Sequence, residues 1–455
     1  MGMQTFLCCR WRCRAAKMAL LFLGIVLIAR WSAGADGLAD YVNRPDDSFA
    51  WKKADRQEAD SNNAVRLDCT SQTWRGGAWH HQLLVVRPAK LRHSETAFLF
   101  ITGDEDVGHL FNMLNLLAER AGCIAAVINH IPNQPLYDGL KEDDLIAYTF
   151  EQFLDSGDAT WPLLFPMVKS AVRGMDAVQA EAQQESGQKI TRFVVGGASK
   201  RGWTTWLTAA VDGRVKAIAP MVIDMLNMKA QARWAKLMYG RQSEEINAYT
   251  KYHLTERMDE PGMVKLRSWV DPYSYRTRYR LPKLLLLGTD DPYWVVDSLR
   301  NYWNNLPDPK LVFQTPNAGH DLAGGREAIP ALAAFFQMIA DREKLPRMTW
   351  QFGSNSPDAA TVNVTLSKPA QSFLLWTATS TNRDFRSAKW SSAELTAASS
   401  RHATAKVERP ESGFRAYLVE AEMKASTGQD YKLSTEARVI PDGPPPTAAQ
   451  LSVEP

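Results

Sequence analysis

Continuous apolar runs alternate with stretches of helical periodicity over most of the chain. The runs AFLFITG (97–103), CIAAVINHI (123–131) and TRFVVGG (191–197) predict strands that are buried on both faces. Helical spacing follows the first and third runs, and a long helix is expected over Phe165 to Gln184. Further strands are predicted at 215–224, 283–291 and 310–321, and a last helix at about 327–341. This order predicts an α/β fold with a doubly wound, mostly parallel sheet.

From about Arg347 the pattern changes to alternation with a period of two, rich in Thr, Ser and Val. Such alternation is typical of antiparallel strands with one buried face. We therefore expect an α/β domain over 36–345 and a separate, accessory β-sandwich over 346–440. The Pro-rich tail 441–455 is predicted to be disordered.

The N-terminus has the pattern of a secretory leader. A cationic stretch precedes the apolar run MALLFLGIVLIA, and the small-residue site SAGA ends at Ala35. The run is shorter than the roughly 20 apolar residues of a spanning helix, so an uncleaved anchor is the less favoured alternative. We expect cleavage near Ala35, a secreted or periplasmic protein, and no stable membrane span in the mature chain.

Charge argues against a nucleic-acid partner. The formal net charge is +3, but the first 35 residues carry five basic residues and no acid, so the rest of the chain is net acidic. Three of the five cysteines precede the apolar run and would leave with the leader. Cys69 and Cys123 remain, and the sequence leaves open whether they pair.

The stretch VVGGASKRG places Ser199 between a predicted strand and a predicted helix. A catalytic serine is held at such a sharp turn by small neighbours that let the backbone bend. Gly197 stands two residues before the serine, but Arg201 stands two after it, and Gly202 follows one position later. Ser199 is therefore a candidate nucleophile with one departure from the G-x-S-x-G pattern, and a turn serine without catalytic function is the alternative.

A serine nucleophile requires a histidine base and a carboxylate that orients the base. Both are expected at the ends of later strands, the acid before the histidine. His320 follows the last predicted strand, and Asp290 and Asp291 follow the strand LLLLG. We favour Asp291, because its spacing from Gly288 allows one turn before the carboxylate. Asp290 and Asp224, at the end of MVID, are the other candidates.

The oxyanion of such a reaction is stabilised by backbone N–H donors. The N–H of Lys200 opens the predicted helix and is one candidate, and an N–H at Gly103 or Asp104 is the other. No metal or cofactor is predicted. The chain has no H-E-x-x-H motif and no glycine-rich phosphate loop after a predicted strand, and the adjacent His80 and His81 point to opposite sides of a strand.

Two aromatic insertions, 129–166 and 226–282, are expected to form a cap over the nucleophile. Some of their aromatic residues are candidates to stack on a sugar or hold an acyl group, unless they only pack the cap: Trp161, Trp234, Trp269, Tyr273 and Tyr275. Several basic residues would suit an acidic substrate, unless they are solvated: Lys200, Arg201, Arg276, Arg278 and Arg280.

Several motifs together resemble the PhoPQ-activated pathogenicity-related protein family. They are YVNRPDDSFAWK, WPLLFPMVKSAVRGMDAVQ, GASKRGWTTWLTA and GTDDPYWVVDS, within a resemblance that runs from about Tyr41 to Val439. The resemblance implies an α/β-hydrolase fold, a C-terminal β domain and export from the cell. It also supports Ser199 and His320, and it implies Asp291 as the acid, because family members show TGDEFF where this chain has TDDPYW.

The predicted function is an exported serine hydrolase that cleaves an ester or amide bond through an acyl-enzyme, with an esterase favoured. A secreted peptidase of the same fold and a non-catalytic secreted binding or signalling protein are the alternatives. The expected substrate is a small molecule, a glycan ester or a peptide. The sequence leaves the oligomeric state open.

Overall fold

The computed structural model describes residues 37–54, 63–103, 106–353 and 359–443. The predicted leader, Asp104 and the tail beyond 443 lie outside the described residues. Within those ranges, none of the helices is both long enough and apolar enough to cross a membrane.

A nine-stranded sheet forms the centre of the molecule. Its strands are β1 (Ala50–Lys53), β2 (Ala64–Trp74), β3 (Gly77–Val86), β4 (Thr96–Ile101), β5 (Ile124–Ile128), β6 (Arg192–Ala198), β7 (Val215–Met221), β8 (Lys283–Gly288) and β9 (Lys310–Thr315). Their spatial order is β1-β2-β3-β5-β4-β6-β7-β8-β9. The strands from β5 to β9 pair in parallel, and β1 to β3 add an antiparallel edge.

Helices cover both faces of this sheet. They are α1 (Gly37–Val42), α2 (Phe111–Ala121), α3 (Glu142–Ser156), α4 (Leu164–Ser186), α5 (Lys200–Val211), α6 (Met228–Tyr239), α7 (Asn247–Thr250), α8 (Pro261–Val270) and α9 (Ala328–Ala340). One core packs α1, α4 and α5 against the sheet, and a second core packs α2 and α9 against its other face. Strands β4, β5 and β8 are buried along their whole length, which is why they read as unbroken apolar runs.

The two predicted insertions pack against each other beside the carboxyl ends of the strands. The first contributes α3, and the second contributes α6, α7 and α8. Tyr249 donates a hydrogen bond to Asp143 Oδ1 at 2.9 Å, and Arg257 pairs with Glu151 at 2.7 Å. Because these contacts join α3 to the second insertion, the two segments form one cap.

Two antiparallel sheets follow, from eight strands: β10 (Met348–Phe352), β11 (Ala359–Leu366), β12 (Ala370–Ser380), β13 (Ser391–Glu394), β14 (His402–Glu408), β15 (Phe414–Lys424), β16 (Asp430–Ser434) and β17 (Arg438–Ile440). One sheet has the order β10-β11-β14. The other has the order β13-β12-β15-β16, with β17 also paired to β15. Buried and exposed residues alternate along β11 and β14, as expected for strands with one face in a core.

The core of the C-terminal strands is continuous with the core of the α/β part. Phe335 and Phe336 of α9 belong to the same apolar cluster as Val362 and Val419 of the C-terminal sheets. Gln314 of β9 also donates its backbone N–H to Ser434 Oγ at 2.8 Å. The C-terminal strands therefore share part of their core with the α/β part.

Candidate active site

Ser199 lies at a sharp turn between β6 and α5. Its backbone has φ 55° and ψ −126°, a conformation that a non-glycine residue adopts only when the surrounding structure enforces it. Its N–H donates to the carbonyl of Met221, and its carbonyl accepts from the N–H of Trp203, both at 2.9 Å. The serine is thus fixed at the strand end with its side chain half-buried.

Close backbone contacts explain the glycines around this serine. A Cβ on Gly197 would lie 2.7 Å from the carbonyl oxygen of Arg201, and a Cβ on Gly202 would lie 2.8 Å from Ile223 Cγ2. The side chain of Arg201 points away from that contact, towards Glu142. Arg201 is therefore tolerated where the G-x-S-x-G pattern has glycine, because the position without room for a Cβ is 202 and not 201.

Asp291 and His320 form a hydrogen-bonded pair. Asp291 Oδ2 lies 2.9 Å from His320 Nδ1, and Asp291 Oδ1 accepts from the N–H of Tyr293 at 3.0 Å. The Tyr293 ring stacks on the imidazole with centroids 4.4 Å apart. Only 4% of the Asp291 side chain is exposed, against 27% for His320. The carboxylate thus holds one imidazole nitrogen and leaves the other ring edge towards the solvent side.

The loops that carry this pair are bonded to each other. The N–H of Asp290 donates to the carbonyl of Ala318 at 2.9 Å, and the N–H of Asn317 donates to Thr289 Oγ1 at 3.0 Å. A Cβ on Gly288 would lie 2.3 Å from the Ala318 carbonyl oxygen, so this approach requires glycine. The spacing between Gly288 and Asp291 therefore reflects a tight turn, as the sequence suggests.

The two other candidate acids are elsewhere. Asp290 accepts a hydrogen bond from Thr289 Oγ1 at 2.8 Å, and burial raises its pKa to about 6. Asp224 is buried at the end of β7, where burial first and then the charge of Asp291 raise its pKa to about 7. In the part of the chain that the structure describes, neither carboxylate has a hydrogen bond to His320.

Ser199 and the His320 pair meet at one cavity. Ser199 and Tyr293 both line it, and Tyr293 stacks on His320. Among the described residues, no hydrogen bond joins Ser199 Oγ to His320. In enzymes without a bound substrate, such catalytic contacts are often long and tighten only when the substrate binds.

The candidate oxyanion donors lie on either side of the elbow. Lys200 is the first residue of α5, where an N–H has no acceptor within its own helix and adds to the positive end of the helix dipole. Gly103 follows β4, and a Cβ there would lie 2.5 Å from Arg201 Nη2. Gly103 therefore lies beside the elbow, while Asp104 lies outside the described residues.

Acidic residues of α3 neutralise the basic residues of the elbow. Lys200 Nζ lies 3.0 Å from Glu142 Oε2 and 3.1 Å from Asp143 Oδ2, and Arg201 donates to both Glu142 oxygens. Burial alone would raise the pKa of Glu142, but the bonds and charges of Arg201 and Lys200 outweigh it and lower the pKa to about 2. The charges of Lys200 and Arg201 are therefore already paired with carboxylates of the protein.

The arginines of the second insertion do not form a strand edge either. Arg276 and Arg278 lie in a 3-10 helix, Pro272–Arg278, instead of a strand. Arg276 lies over the Tyr273 ring at 4.5 Å. Residues spaced by two do not share a face in a helix, so these side chains present no common cationic surface.

The five aromatic candidates of the cap are packing residues. Trp269 and Tyr275 are buried, Trp234 donates to Asp297 at 2.9 Å, and the Arg75 guanidinium lies 3.3 Å from the Trp161 ring centroid. The rings that do line the cavity are Phe150, Trp203, Tyr249, Tyr293 and Trp294. Of these, only Tyr293 and Trp294, which follow Asp291, could be inferred from their position in the sequence.

The cysteines and the adjacent histidines of β3 are the remaining residues considered for a disulfide or a metal site. Cys69 and Cys123 are both buried and free, so they do not pair with each other. His80 contacts Thr70, and His81 is buried against Ser71, on opposite sides of β3. In the described ranges, no cluster of three or more His, Cys, Asp or Glu side chains has the geometry of a metal site.

The C-terminal layer reaches the site through the loop 381–390. Asn317, three residues before His320, exchanges two hydrogen bonds with the backbone of Trp390, at 3.0 and 2.8 Å. Arg383 and Asp297 form an ion pair at 3.0 Å in which both side chains are fully buried. Arg386 donates to Glu244 of the cap at 3.0 Å. These contacts could not be predicted from local sequence patterns, because they join segments far apart in the chain.

The order of the sheet and the chemistry at its edge define the class of protein. A serine turn after β6, an acid after β8 and a histidine after β9, on a mostly parallel sheet with an antiparallel edge, is the α/β-hydrolase fold.

The chain belongs to the PhoPQ-activated pathogenicity-related protein family, whose signature matches residues 38–386. It is similar to the autocrine proliferation repressor protein A of Dictyostelium discoideum, with 31% identity over 94% of each chain. This membership confirms the resemblance inferred from the motifs.

Among solved structures, the chain is similar to acetyl xylan esterase 1 from Thermoanaerobacterium sp. JW/SL YS485, with 18% identity and a TM-score of 0.47 over 67% of this chain and 93% of that one. An acetyl xylan esterase from Paenibacillus sp. R4 matches with 15% identity and a TM-score of 0.46, over 65% of this chain and 91% of that one.

Proposed function

We propose that the chain is an exported serine hydrolase that cleaves esters through an acyl-enzyme. The observation that carries the proposal is the Asp291–His320 pair, which lies through Tyr293 against the cavity that Ser199 lines. The carboxylate bond to Nδ1 favours the tautomer in which Nε2 accepts a proton. Ser199, His320 and Asp291 then act as nucleophile, base and orienting acid.

The reaction runs in two halves. Ser199 Oγ attacks the ester carbonyl while His320 Nε2 takes its proton, and the N–H groups of Lys200 and Gly103 stabilise the oxyanion. The intermediate collapses when His320 returns the proton to the leaving alcohol. Water, activated by the same imidazole, then hydrolyses the acyl-enzyme and restores the serine.

The test uses a fluorophosphonate probe, which forms a stable bond only with an activated serine. The purified protein is expected to be labelled at Ser199, and S199A is expected to lose labelling. S268A, an exposed serine of α8, is the matched control and is expected to label as the parent does. Absence of labelling in the parent, or equal labelling of S199A, would refute the assignment.

Export is part of the proposal and is supported by the leader pattern of residues 1–35. Its test is the N-terminal sequence of the protein recovered outside the cytoplasm. A mature terminus at Asp36 is expected, and a cytoplasmic protein that still begins at Met1 would contradict it.

A binding or signalling protein is the second candidate. It is favoured by one finding, the name of the Dictyostelium relative, which describes a repressor of proliferation. The same labelling experiment separates the two candidates, because a protein that only binds a partner does not need an activated Ser199. A peptidase would label as well, but it would hydrolyse amides at rates comparable to esters.

A further inference from the structure

The cavity beside Ser199 is larger than an acetyl group requires. Its volume is about 110 Å³, and both insertions of the cap contribute to its wall. A space of this size accommodates several water molecules, whereas an acetyl group would occupy only part of it. The volume therefore points to a substrate with a group larger than methyl attached at the reacting carbonyl.

The wall of the cavity consists mainly of hydrocarbon and thioether groups. The apolar lining residues are Phe150, Trp203, Ile223, Met225, Met228, Ala232, Ala235, Ile246, Leu254, Met258, Met263, Trp294 and Val295. Four of these are methionines, whose flexible side chains adapt to apolar ligands of different shape.

Several polar side chains in the wall already have protein partners, whereas the buried Trp294 Nε1 has none among the described residues. Gln231 donates to the carbonyls of Leu226 and Ser298 and accepts from Asn301. Ser243 donates to the carbonyl of Pro292 at 2.7 Å. A hydroxylated ligand would have to displace these bonds, which costs free energy that an apolar ligand avoids.

The charged groups of the wall are neutralised in the same way. Lys200 and Asp143 pair with each other at 3.1 Å, and Asp143 also accepts from Tyr249. A charged acyl group, such as a uronate, would therefore enter a cavity without a free counter-charge among the residues that line it.

The position of His320 decides which half of the ester the cavity holds. The leaving alcohol must reach the imidazole that protonates it. The described residues of the wall include Ser199 and Tyr293, which stacks on His320, but not His320 itself. Because the nucleophile that attacks the carbonyl lines the cavity directly and the imidazole does so only through Tyr293, the cavity is placed to hold the acyl half.

We propose that the cavity is an acyl pocket and that the natural substrate is an ester of a medium-chain hydrocarbon acid. The inference rests on the function proposed for Ser199. It adds a direction of specificity: longer apolar acyl groups are preferred to acetyl, and charged or hydroxylated acyl groups are excluded.

The test compares p-nitrophenyl acetate, butyrate and octanoate with the purified protein, each rate divided by spontaneous hydrolysis. The kcat/KM is expected to rise by roughly tenfold or more from acetate to octanoate, because each buried methylene adds binding free energy. The variant A232F places a ring in the cavity from a half-buried position of α6 and should lower octanoate hydrolysis about tenfold, with acetate changed less than about twofold. K236F adds the same ring on the same helix outside the cavity and should change neither rate.

A flat or falling dependence on chain length, or equal losses of both esters in A232F, would overturn the acyl pocket. Labelling by the fluorophosphonate reports the proposed function independently: labelling with a flat chain-length profile removes only the acyl pocket, whereas absent labelling removes both. If the esters are not turned over, labelling rates of fluorophosphonates with a short or a long alkyl chain replace them, and equal rates refute the pocket.

Discussion

The two halves of the candidate site are supported in different ways. The elbow of Ser199 is held by Met221 and by the acidic residues Glu142 and Asp143, all within the α/β part. The loops of Asp291 and His320 are held partly by the C-terminal layer, through the bonds between Asn317 and Trp390. The elbow is thus held within the α/β part, whereas the loops of Asp291 and His320 also depend on contacts with the C-terminal layer.

This difference indicates that the C-terminal layer positions the catalytic base. Catalytic geometry is sensitive to displacements of about 1 Å. A layer that bonds the loop of His320, buries Arg383 against Asp297 and contacts the cap through Arg386 fixes the base and the cap together. Changes in it are therefore expected to reduce turnover while leaving the elbow of Ser199 folded.

The largest effect is expected from the acid. D291N keeps the shape of the side chain, but its amide oxygen is needed by the N–H of Tyr293. Its NH2 group then faces His320 Nδ1 as a donor and favours the wrong imidazole tautomer, so kcat should fall roughly 1000- to 10 000-fold. Steady-state hydrolysis of an activated ester measures the loss. D290N is the matched control, since Asp290 bonds Thr289 and not His320, and it should lose less than about tenfold. A larger loss in D290N or D224N would move the acid to that residue.

A smaller effect is expected from the bridge between the layers. N317G removes both bonds to Trp390 and introduces no strain, because Asn317 has φ 55°, which glycine adopts freely. We expect kcat to fall about tenfold, since the His320 loop loses its external support. N304A, at an exposed position of the 3-10 helix Trp303–Asn305, should be neutral. An unchanged kcat in N317G would show that the C-terminal layer does not position the base.

The smallest effect is expected from a change at Asp224. This residue follows β7, which lies between the strand before Ser199 and the strand before Asp291. Its pKa is about 7 in the folded protein and near 3.8 in the unfolded chain, so the folded state binds more protons between these values and stability falls as the pH rises through them. D224N stays neutral and should escape this loss. Its melting temperature should exceed that of the parent by several degrees above pH 7, because each kcal/mol shifts it by about 2–4 °C.

The difference between D224N and the parent should disappear as the pH falls below 3.8, where Asp224 is protonated in more than half of the molecules in both the folded and the unfolded state. D155N, at an exposed site of α3, is the control and should track the parent at every pH. A difference between D224N and the parent that stays constant with pH would contradict the burial of a titrating carboxyl at this position.

Much of the fold was predictable from local patterns. Helix α4 was expected over Phe165 to Gln184 and spans Leu164–Ser186, and the last helix was expected at about 327–341 and spans Ala328–Ala340. Fully buried strands and amphipathic helices have distinct periodicities, so they can be recognised without knowledge of their neighbours. The antiparallel edge was not predicted, although β2 alternates between buried and half-buried positions over most of its length. Some buried positions of β2 and β3 are polar, Ser71, Gln72 and His81, which weakens the apolar pattern in the sequence.

The site was predictable where it depends on strand ends, and unpredictable where it depends on distant contacts. Asp291 and His320 follow neighbouring parallel strands, which bring their loops to one edge of the sheet. The pairing of Lys200 with Glu142 depends on how α3 packs over the elbow, and local sequence does not encode that geometry. The sequence alone therefore shows the basic residues Lys200 and Arg201 but not the carboxylates that pair with them.

The edge of β9 has a consequence for how the protein matures. β9 is the last strand of the central sheet, and the residues that cover its free side, Ser434 and Ala437, lie near the end of the chain. An uncovered edge strand is a template for pairing with other chains. During synthesis, the part of the chain that carries Ser199 is made before the residues that protect this edge. The edge of β9 can therefore pair with other chains until those later residues have folded.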